Sequence, residues 1–389
     1  MKQNHIIMPG VATRFDDLGV GFAPYLQPPP EGVIRWTVGE PGFETPDPVI
    51  STAISELKAG KTKYTRGQGS IKLCEAVSSH LMSTSGISYS SENIVITPGA
   101  KQALLYAYMT TLNPGDEAIL LTPCWASYEP MISIIGATPV NIPVNRTNFH
   151  PDIGAIRSAV TDKTRSIMVN SPCNPTGAVY TRQEIEEIVA IAVEHDLWII
   201  SDEIYSRLIW NGTDHVSPAT IEGGLDRTIV ISGWSKTWAM TGMRIGFLAG
   251  PSNAAKAAVK CQANSASHVP TFMMEAARAA LDCDDYVDDF ADAYRKRRDM
   301  MLRGLGDIPG LRIVDPEGAF YLFVDVTGTG MTDVEFADRA LEAGVQLIPA
   351  SLITHGEGFV RISYAAPEED IKEGISRLRL WLLGDSKTD

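Results

Sequence analysis

Three features of the 389-residue sequence predict an α/β protein built on a mostly parallel sheet covered on both faces, with a smaller α+β unit attached. Short, continuous apolar runs alternate with amphipathic stretches of helical period, the pattern of strands buried on both sides. The chain is too long for one small domain, since roughly 150 residues per domain is usual. After about Leu281 the alternation gives way to a long polar helix followed by mixed strands and helices.

In chain order, residues 1–47 read as an irregular arm over the rest of the molecule, because Pro28-Pro29-Pro30 suits neither helix nor central strand. From Pro48, the apolar positions Val49, Ile50, Ala53, Ile54 and Leu57 repeat at helical spacing, and Gly60 supplies a stop. Strands are expected at Ile94–Thr97, Ala118–Leu121, Thr138–Ile142, Ser166–Asn170, Leu197–Ser201, Thr228–Ser232 and Ile245–Ala249. A helix is expected over Ala100–Leu112, closed by the turn residues Asn113-Pro114-Gly115-Asp116. Another is expected over Thr181–His195, where Thr181 and Glu184 have the spacing of a capping box. The second unit should hold a helix over about Asp284–Leu305 and strands at Leu311–Val314 and Phe320–Val326. A helix from Thr332, strands at Val345–Ile348 and Phe359–Ser363, and a final helix complete it. The division is then residues 48–284 for the large domain, and 1–47 with 285–389 for the arm and small domain.

Composition narrows the function. Subtracting 47 acidic from 33 basic residues gives a net charge of −14, which disfavours nonspecific binding to nucleic acid or anionic membranes. No apolar run approaches the roughly 20 residues of a membrane span, and the first residues, MKQNHIIMPGVATRFDDL, hold no sustained apolar stretch. Five cysteines without CxxC spacing read as reduced thiols, so the expected location is cytoplasmic. The seven histidines show no HExxH or paired-ligand spacing, so no metal is expected.

In open α/β sheets ligands bind beyond the carboxyl ends of the strands. Behind Ile94–Thr97 come Gly99, Ala100 and Lys101, a glycine leading into a helix whose unpaired N–H groups suit a phosphate; most such glycines are only turn residues. Trp125 follows the next strand, as a core residue or a stacking platform. The loop Ser171–Gly177, SPCNPTG, presents the Asn174 amide, and Asp202 and Tyr205 follow the strand ending at Ser201. Lys236, in Gly233-Trp234-Ser235-Lys236-Thr237, is flanked by small and apolar residues that would desolvate its amine and favour nucleophilic use, although a lone lysine is ordinarily solvated surface. Arg244 precedes another apolar strand, where a guanidinium is costly without an anion. Each signal is weak alone. Together they suit a planar, phosphorylated, nitrogen-containing aromatic aldehyde held as a Schiff base, which is pyridoxal phosphate.

With VGEPGF (Val38–Phe43), KYTRGQG (Lys61–Gly69), TPGAKQAL (Thr97–Leu104), SPCNPTG, SDEIY (Ser201–Tyr205), SGWSKTWAMTGMRIG (Ser232–Gly246), GAFY (Gly318–Tyr321) and VRISYA (Val360–Ala365) in this order, the sequence resembles the class I/II aminotransferases of pyridoxal-phosphate fold type I. It is most similar to the bacterial and archaeal aspartate aminotransferases. The resemblance implies a mixed, mainly parallel sheet sandwiched by helices, a small domain made from both termini, and a homodimer with shared active sites. It implies that Lys236 binds the cofactor covalently and moves the substrate proton, and that Asp202 pairs with the ring nitrogen. Asn174 and Tyr205 would bond the ring 3-oxygen, and Trp125 would stack on the ring. Gly99, Ala100, Lys101, Ser235 and Arg244 would hold the phosphate, with Tyr64 reaching the neighbouring subunit's phosphate. Arg361 and the Gly39 N–H would grip the substrate carboxylate, with Trp125 and Asn174 beside it. Two positions depart from the pattern: Gly233 stands where some relatives have serine, and Gly42 where an acidic residue often precedes the phenylalanine.

The implied reaction is ping-pong transfer of an amino group from an amino acid, aspartate or glutamate first, to a 2-oxo acid. Aromatic and alanine-type donors, and a lyase or cyclising reaction on the same residues, are alternatives; ammonia release instead of oxo acid would mark elimination. A noncatalytic sensor on this fold usually appends a DNA-binding domain, and no room for one is expected in this sequence. A nicotinamide enzyme would need a third glycine after Gly67-Gln68-Gly69 and a strand before it, and neither is present.

Overall fold

The computed structural model describes residues 12, 15, 27–210, 212–353 and 355–384. Most of the expected arm ahead of residue 27 therefore lies outside the described residues. The large sheet has seven strands in the order β2-β8-β7-β6-β5-β3-β4. With β1 at Ile34–Arg35, these are β2 (Ile94–Thr97), β3 (Glu117–Thr122), β4 (Thr138–Pro143), β5 (Thr164–Asn170), β6 (Trp198–Asp202), β7 (Thr228–Gly233) and β8 (Gly246–Ala249). All seven expected strands are present, with ends shifted by no more than two residues. Pairing along β4-β3-β5-β6-β7 is parallel, whereas β8 runs antiparallel between β7 and β2.

The continuous apolar strands have the expected cause. On β6, Ile200 packs with Leu104, Leu248 and the helix Ala100–Thr111, while Ile199 faces the opposite way, with Ile185, Ile188 and the helix Arg182–Glu194. Successive side chains alternate between faces, so a sheet with helices on both faces needs apolar residues at consecutive positions. Thr181 caps the helix Arg182–Glu194 in a complete capping box with Glu184.

The second unit holds an antiparallel sheet of order β12-β13-β10-β9. Its strands are β9 (Arg312–Ile313), β10 (Tyr321–Asp325), β12 (Ile348–Pro349) and β13 (Phe359–Ser363), and the helices Asp284–Leu305 and Glu368–Gly384 pack together beside it. The single strand expected over Val345–Ile348 is two. β11 (Val345–Gln346) pairs in parallel with β1 from the arm, and β12 pairs with β13. The chain changes partner at Leu347, and apolar content carries no sign of such a change. Trp36, just past β1, is fully buried among Phe320, Leu322 and Tyr364, which fixes the arm against this unit.

One polar cluster ties the second unit to the large sheet. His150 bonds Glu184 through Nδ1 at 2.9 Å and Glu317 through Nε2 at 3.3 Å. The Glu317 carboxylate also accepts the Val179 N–H at 2.9 Å, and its backbone joins Gly177. Bonds to Glu184 and then Glu317 push His150 up to about 9 against the opposing effect of burial. Burial alone would raise both carboxyls, but bonds from His150 and backbone amides hold them low. A histidine raised in the folded state stabilises fully below its unfolded pKa of about 6.5, and that contribution is lost as pH rises through about 9. His150→Ala should therefore destabilise the fold at pH 6 by about 1–2 kcal/mol. Chemical denaturation at pH 6, 7.5 and 10 checks this, with the gap to wild type expected to close at the highest pH.

Candidate active site

The carboxyl ends of β2, β3, β5, β6 and β7, and the start of the reversed β8, meet at one edge of the large sheet. A cavity of about 310 Å³ opens there against the second unit. Lys236, Asp202 and Tyr205 line it, as do Ala100, Lys101 and Trp125. Asn174, Ser235, Arg244, Gly39 and Arg361 complete the expected residues on its wall. Gly99 stands just behind the wall, and Tyr64 is not brought in. Tyr64 is 92% exposed, with its ring edge-on against His268 at 5.6 Å.

Lys236 lies in the one-turn helix Trp234–Thr237 at the end of β7. Trp234 anchors that turn in the core, donating its indole N–H to the Ala277 carbonyl at 2.8 Å. The Lys236 amine faces the cavity, donates to the Gly39 carbonyl and sits 5.9 Å from the Phe320 ring centre. Burial lowers it to about 8; Glu40 opposes the shift, and Arg361 and Arg244 add to it. An amine so desolvated has a much larger neutral fraction near pH 7 than a surface lysine.

Asp202 ends β6 and is 4% exposed. Burial pushes its carboxyl up to about 6, while the Tyr128 hydroxyl (2.8 Å) and the Ile204 N–H (3.2 Å) donate to it and oppose the shift. Asn170, at the end of β5, donates to the Asp202 carbonyl at 3.0 Å and accepts the Asn174 N–H at 2.9 Å. One amide thus fixes the loop Ser171–Gly177 to the strand end that carries the acid. Asn174 in turn accepts from Arg361 at 3.0 Å, and Arg361 donates to the Thr37 carbonyl at 2.7 Å.

A cradle for an anion lies across the cavity. The helix Ala100–Thr111 begins at Gly99, where φ is +82° and no side chain caps it; the Gln102 and Ala103 N–H groups bond the Gly99 carbonyl, which leaves those of Ala100 and Lys101 to face a ligand. Arg244 stands against Gly99, where an added Cβ would come within 2.7 Å of the guanidinium. At Gly246 a Cβ would come within 2.4 Å of the Ala100 nitrogen, so only glycine lets β8 pass this close to the helix start. Lys101 lies over Trp125, its amine 4.9 Å from the ring centre, and burial and Arg244 both lower its pKa. An uncapped helix start, an arginine and a serine fit a phosphate, and the buried acid opposite fits a protonated ring nitrogen. The donor set therefore suits pyridoxal phosphate.

Both departures from the family pattern have a steric basis. At Gly233 a Cβ would lie 2.7 Å from the Gly246 Cα, and at Gly42 one would lie 2.2 Å from the Ala365 carbonyl oxygen. Sequence reasoning gave no role to Tyr128, Asn170, Tyr321 or Thr241, all of which line the cavity. Tyr128 opens a helix and reads as core, and Asn170 reads as a strand end; only their distances to Asp202 reveal them. No group of side chains among the described residues could hold a metal ion, and none of their helices is long and apolar enough to cross a membrane.

The model of the aminotransferase class I and II family matches residues 31–378. An aspartate/prephenate aminotransferase of Thermus thermophilus is 38% identical over 350 residues, spanning 89% of this chain and 90% of the relative. Aromatic-amino-acid aminotransferase 2 of Thermococcus litoralis is 38% identical over 355 residues, 90% of this chain and 91% of its own. The solved structure of Thermus thermophilus aspartate aminotransferase with maleate superposes with a TM-score of 0.91 at 36% identity, covering 96% of this chain and all of the other. Similarity of this depth, along nearly the whole length of relatives with one chemistry, shows that the chain belongs to the class I and II aminotransferases.

Proposed function

We propose that this aminotransferase works with pyridoxal phosphate, takes its amino group from aspartate or glutamate, and passes it to a 2-oxo acid in two half-reactions. The observation that carries the reading is a desolvated lysine amine and a buried carboxylate on the walls of one cavity that also holds an anion cradle. When bound, the cofactor supplies an electron sink for the pair left behind when the substrate Cα–H bond breaks. The Ala100 and Lys101 N–H groups, Ser235 and Arg244 would hold its phosphate, and Asp202 its ring nitrogen. Trp125 would cover the ring, and Asn174 and Tyr205 would bond its 3-oxygen.

Arg361 and the Gly39 N–H orient the substrate by its α-carboxylate. Lys236 Nζ is placed to take the proton from the substrate Cα and, with the cofactor bound, would release it to the cofactor carbon that then carries the amino group. Its lowered pKa keeps the neutral, accepting form populated at neutral pH. Lys101 lines the same cavity, and its cationic amine suits the distal carboxylate of a dicarboxylic donor. The relative solved with maleate, itself a four-carbon dicarboxylate, supports that choice. Tyr64, exposed on the single chain, suits a homodimer in which it reaches the partner's phosphate site.

Lys236→Ala should abolish both turnover and the visible absorption of the loaded enzyme, checked by spectrophotometry; survival of both would refute the assignment. Asp202→Asn keeps the shape but removes the charge, and should lower kcat by about a hundredfold or more. Lys101→Ala should raise KM for aspartate roughly ten- to hundredfold while leaving that for alanine nearly unchanged. A donor screen measures this, and conversion of phenylalanine or tyrosine alone would move the reading to aromatic donors.

A further inference from the structure

Tyr321 opens β10 and is 1% exposed, yet its hydroxyl reaches the cavity wall. Three contacts converge on this one side chain. Its oxygen lies 2.8 Å from the Tyr205 hydroxyl. The face of its ring lies under Arg361, with the guanidinium carbon 4.6 Å from the ring centre. The hydroxyl also fills the space beside Gly39, where an added Cβ would stand 1.9 Å from it. Strand register produces the second contact: Phe323 pairs with Arg361, and Tyr321, two residues earlier, shares the face of Phe323.

Each phenol has one proton to give. Burial, first, and then Tyr321 beside it keep Tyr205 well above its ordinary pKa; burial also raises Tyr321, against the opposing effects of Arg361 and of its bond with Tyr205, so both remain O–H groups at working pH. If Tyr205 gave its proton to Tyr321, none would remain for a ligand in the cavity. The reverse order leaves the Tyr205 proton free to point inward, and donation to Tyr205 polarises that O–H as well.

We propose that Tyr321 is a positioning residue acting through Tyr205: its hydroxyl donates to the Tyr205 phenol and thereby commits the Tyr205 proton to the cofactor's 3-oxygen. The inference rests on the cofactor reading above. It divides one side chain into two functions, the hydroxyl setting the Tyr205 proton and the ring supporting the carboxylate-binding Arg361. Gly39 belongs to the same device, since any side chain there would push the hydroxyl away.

The test is a pH titration of the visible band after loading with pyridoxal phosphate, on wild type, Tyr321→Phe, Tyr205→Phe, the double variant and Gly39→Ala. Lys236 is the protein group at the titrating centre, and Asp202, Arg361, Arg244 and Glu40 face it from the surrounding elements; all are unchanged in these variants. A donor to the 3-oxygen stabilises the deprotonated form, so weakening it raises the midpoint. Tyr321→Phe should raise the midpoint by about half a pH unit to one unit, and Tyr205→Phe by more. The double variant should match Tyr205→Phe, because nothing remains for Tyr321 to act through. Gly39→Ala should also raise the midpoint, and it tests the same bond should Tyr321→Phe fail to fold. In Tyr321→Phe the ring under Arg361 is kept, so KM for aspartate should stay within about twofold while kcat changes.

An unshifted midpoint in both Tyr321→Phe and Gly39→Ala, a double variant whose shift is the sum of the singles, or a rise in KM without change in the band would overturn the inference alone. A wild-type protein that gains no band at all would overturn the cofactor reading and this inference with it.

Discussion

The active cavity is organised by the cost of keeping an amine and a carboxylate out of water. Burial drives Lys236 down and Asp202 up, each toward its neutral form, and every other feature of the site limits or exploits those two shifts. Tyr128 and the Ile204 amide partly stabilise the acid, while Arg361 and Arg244 add to the lysine's shift. A buried acid on one side of the cavity and an uncapped helix start with Arg244 on the other are complementary to a cation and an anion respectively.

The fold meets that cost by fixing short strand ends with few, specific contacts. Asn170 fastens the Asn174 loop to Asp202, Trp234 fastens the lysine turn to the core, and glycines at 233 and 246 let β7, β8 and the helix start crowd together. The second unit supplies the opposite wall through Arg361 and Tyr321. Pairing of β1 with β11 holds the arm to this unit, and the His150 cluster joins the unit to the large sheet, so together they set where that wall stands. Arg361 and Lys236 thus stand on different units, and their alignment depends on these contacts.

Much of this was legible in the sequence because burial on both faces forces consecutive apolar residues, which bounded all seven large-sheet strands closely. Strand direction was not legible: β8 has the same apolar content as its neighbours but runs the other way. The change of partner between Gln346 and Ile348 left no compositional trace either. In the site, motif residues with charge or special chemistry, such as Lys236, Asp202, Arg244 and Arg361, stood out. Tyr128, Asn170 and Tyr321 did not, because a tyrosine or asparagine at an element's end is ordinary, and only three-dimensional distance distinguishes these from others. Tyr64 remains outside the cavity of the single chain, since the role expected for it requires a second subunit.

The most direct test of this account is to load the protein with pyridoxal phosphate, reduce it with borohydride, digest it and locate the stable adduct by mass spectrometry. One modified site is expected, on the peptide containing Lys236. An adduct on Lys101 or a surface lysine in its place, or none, would contradict it.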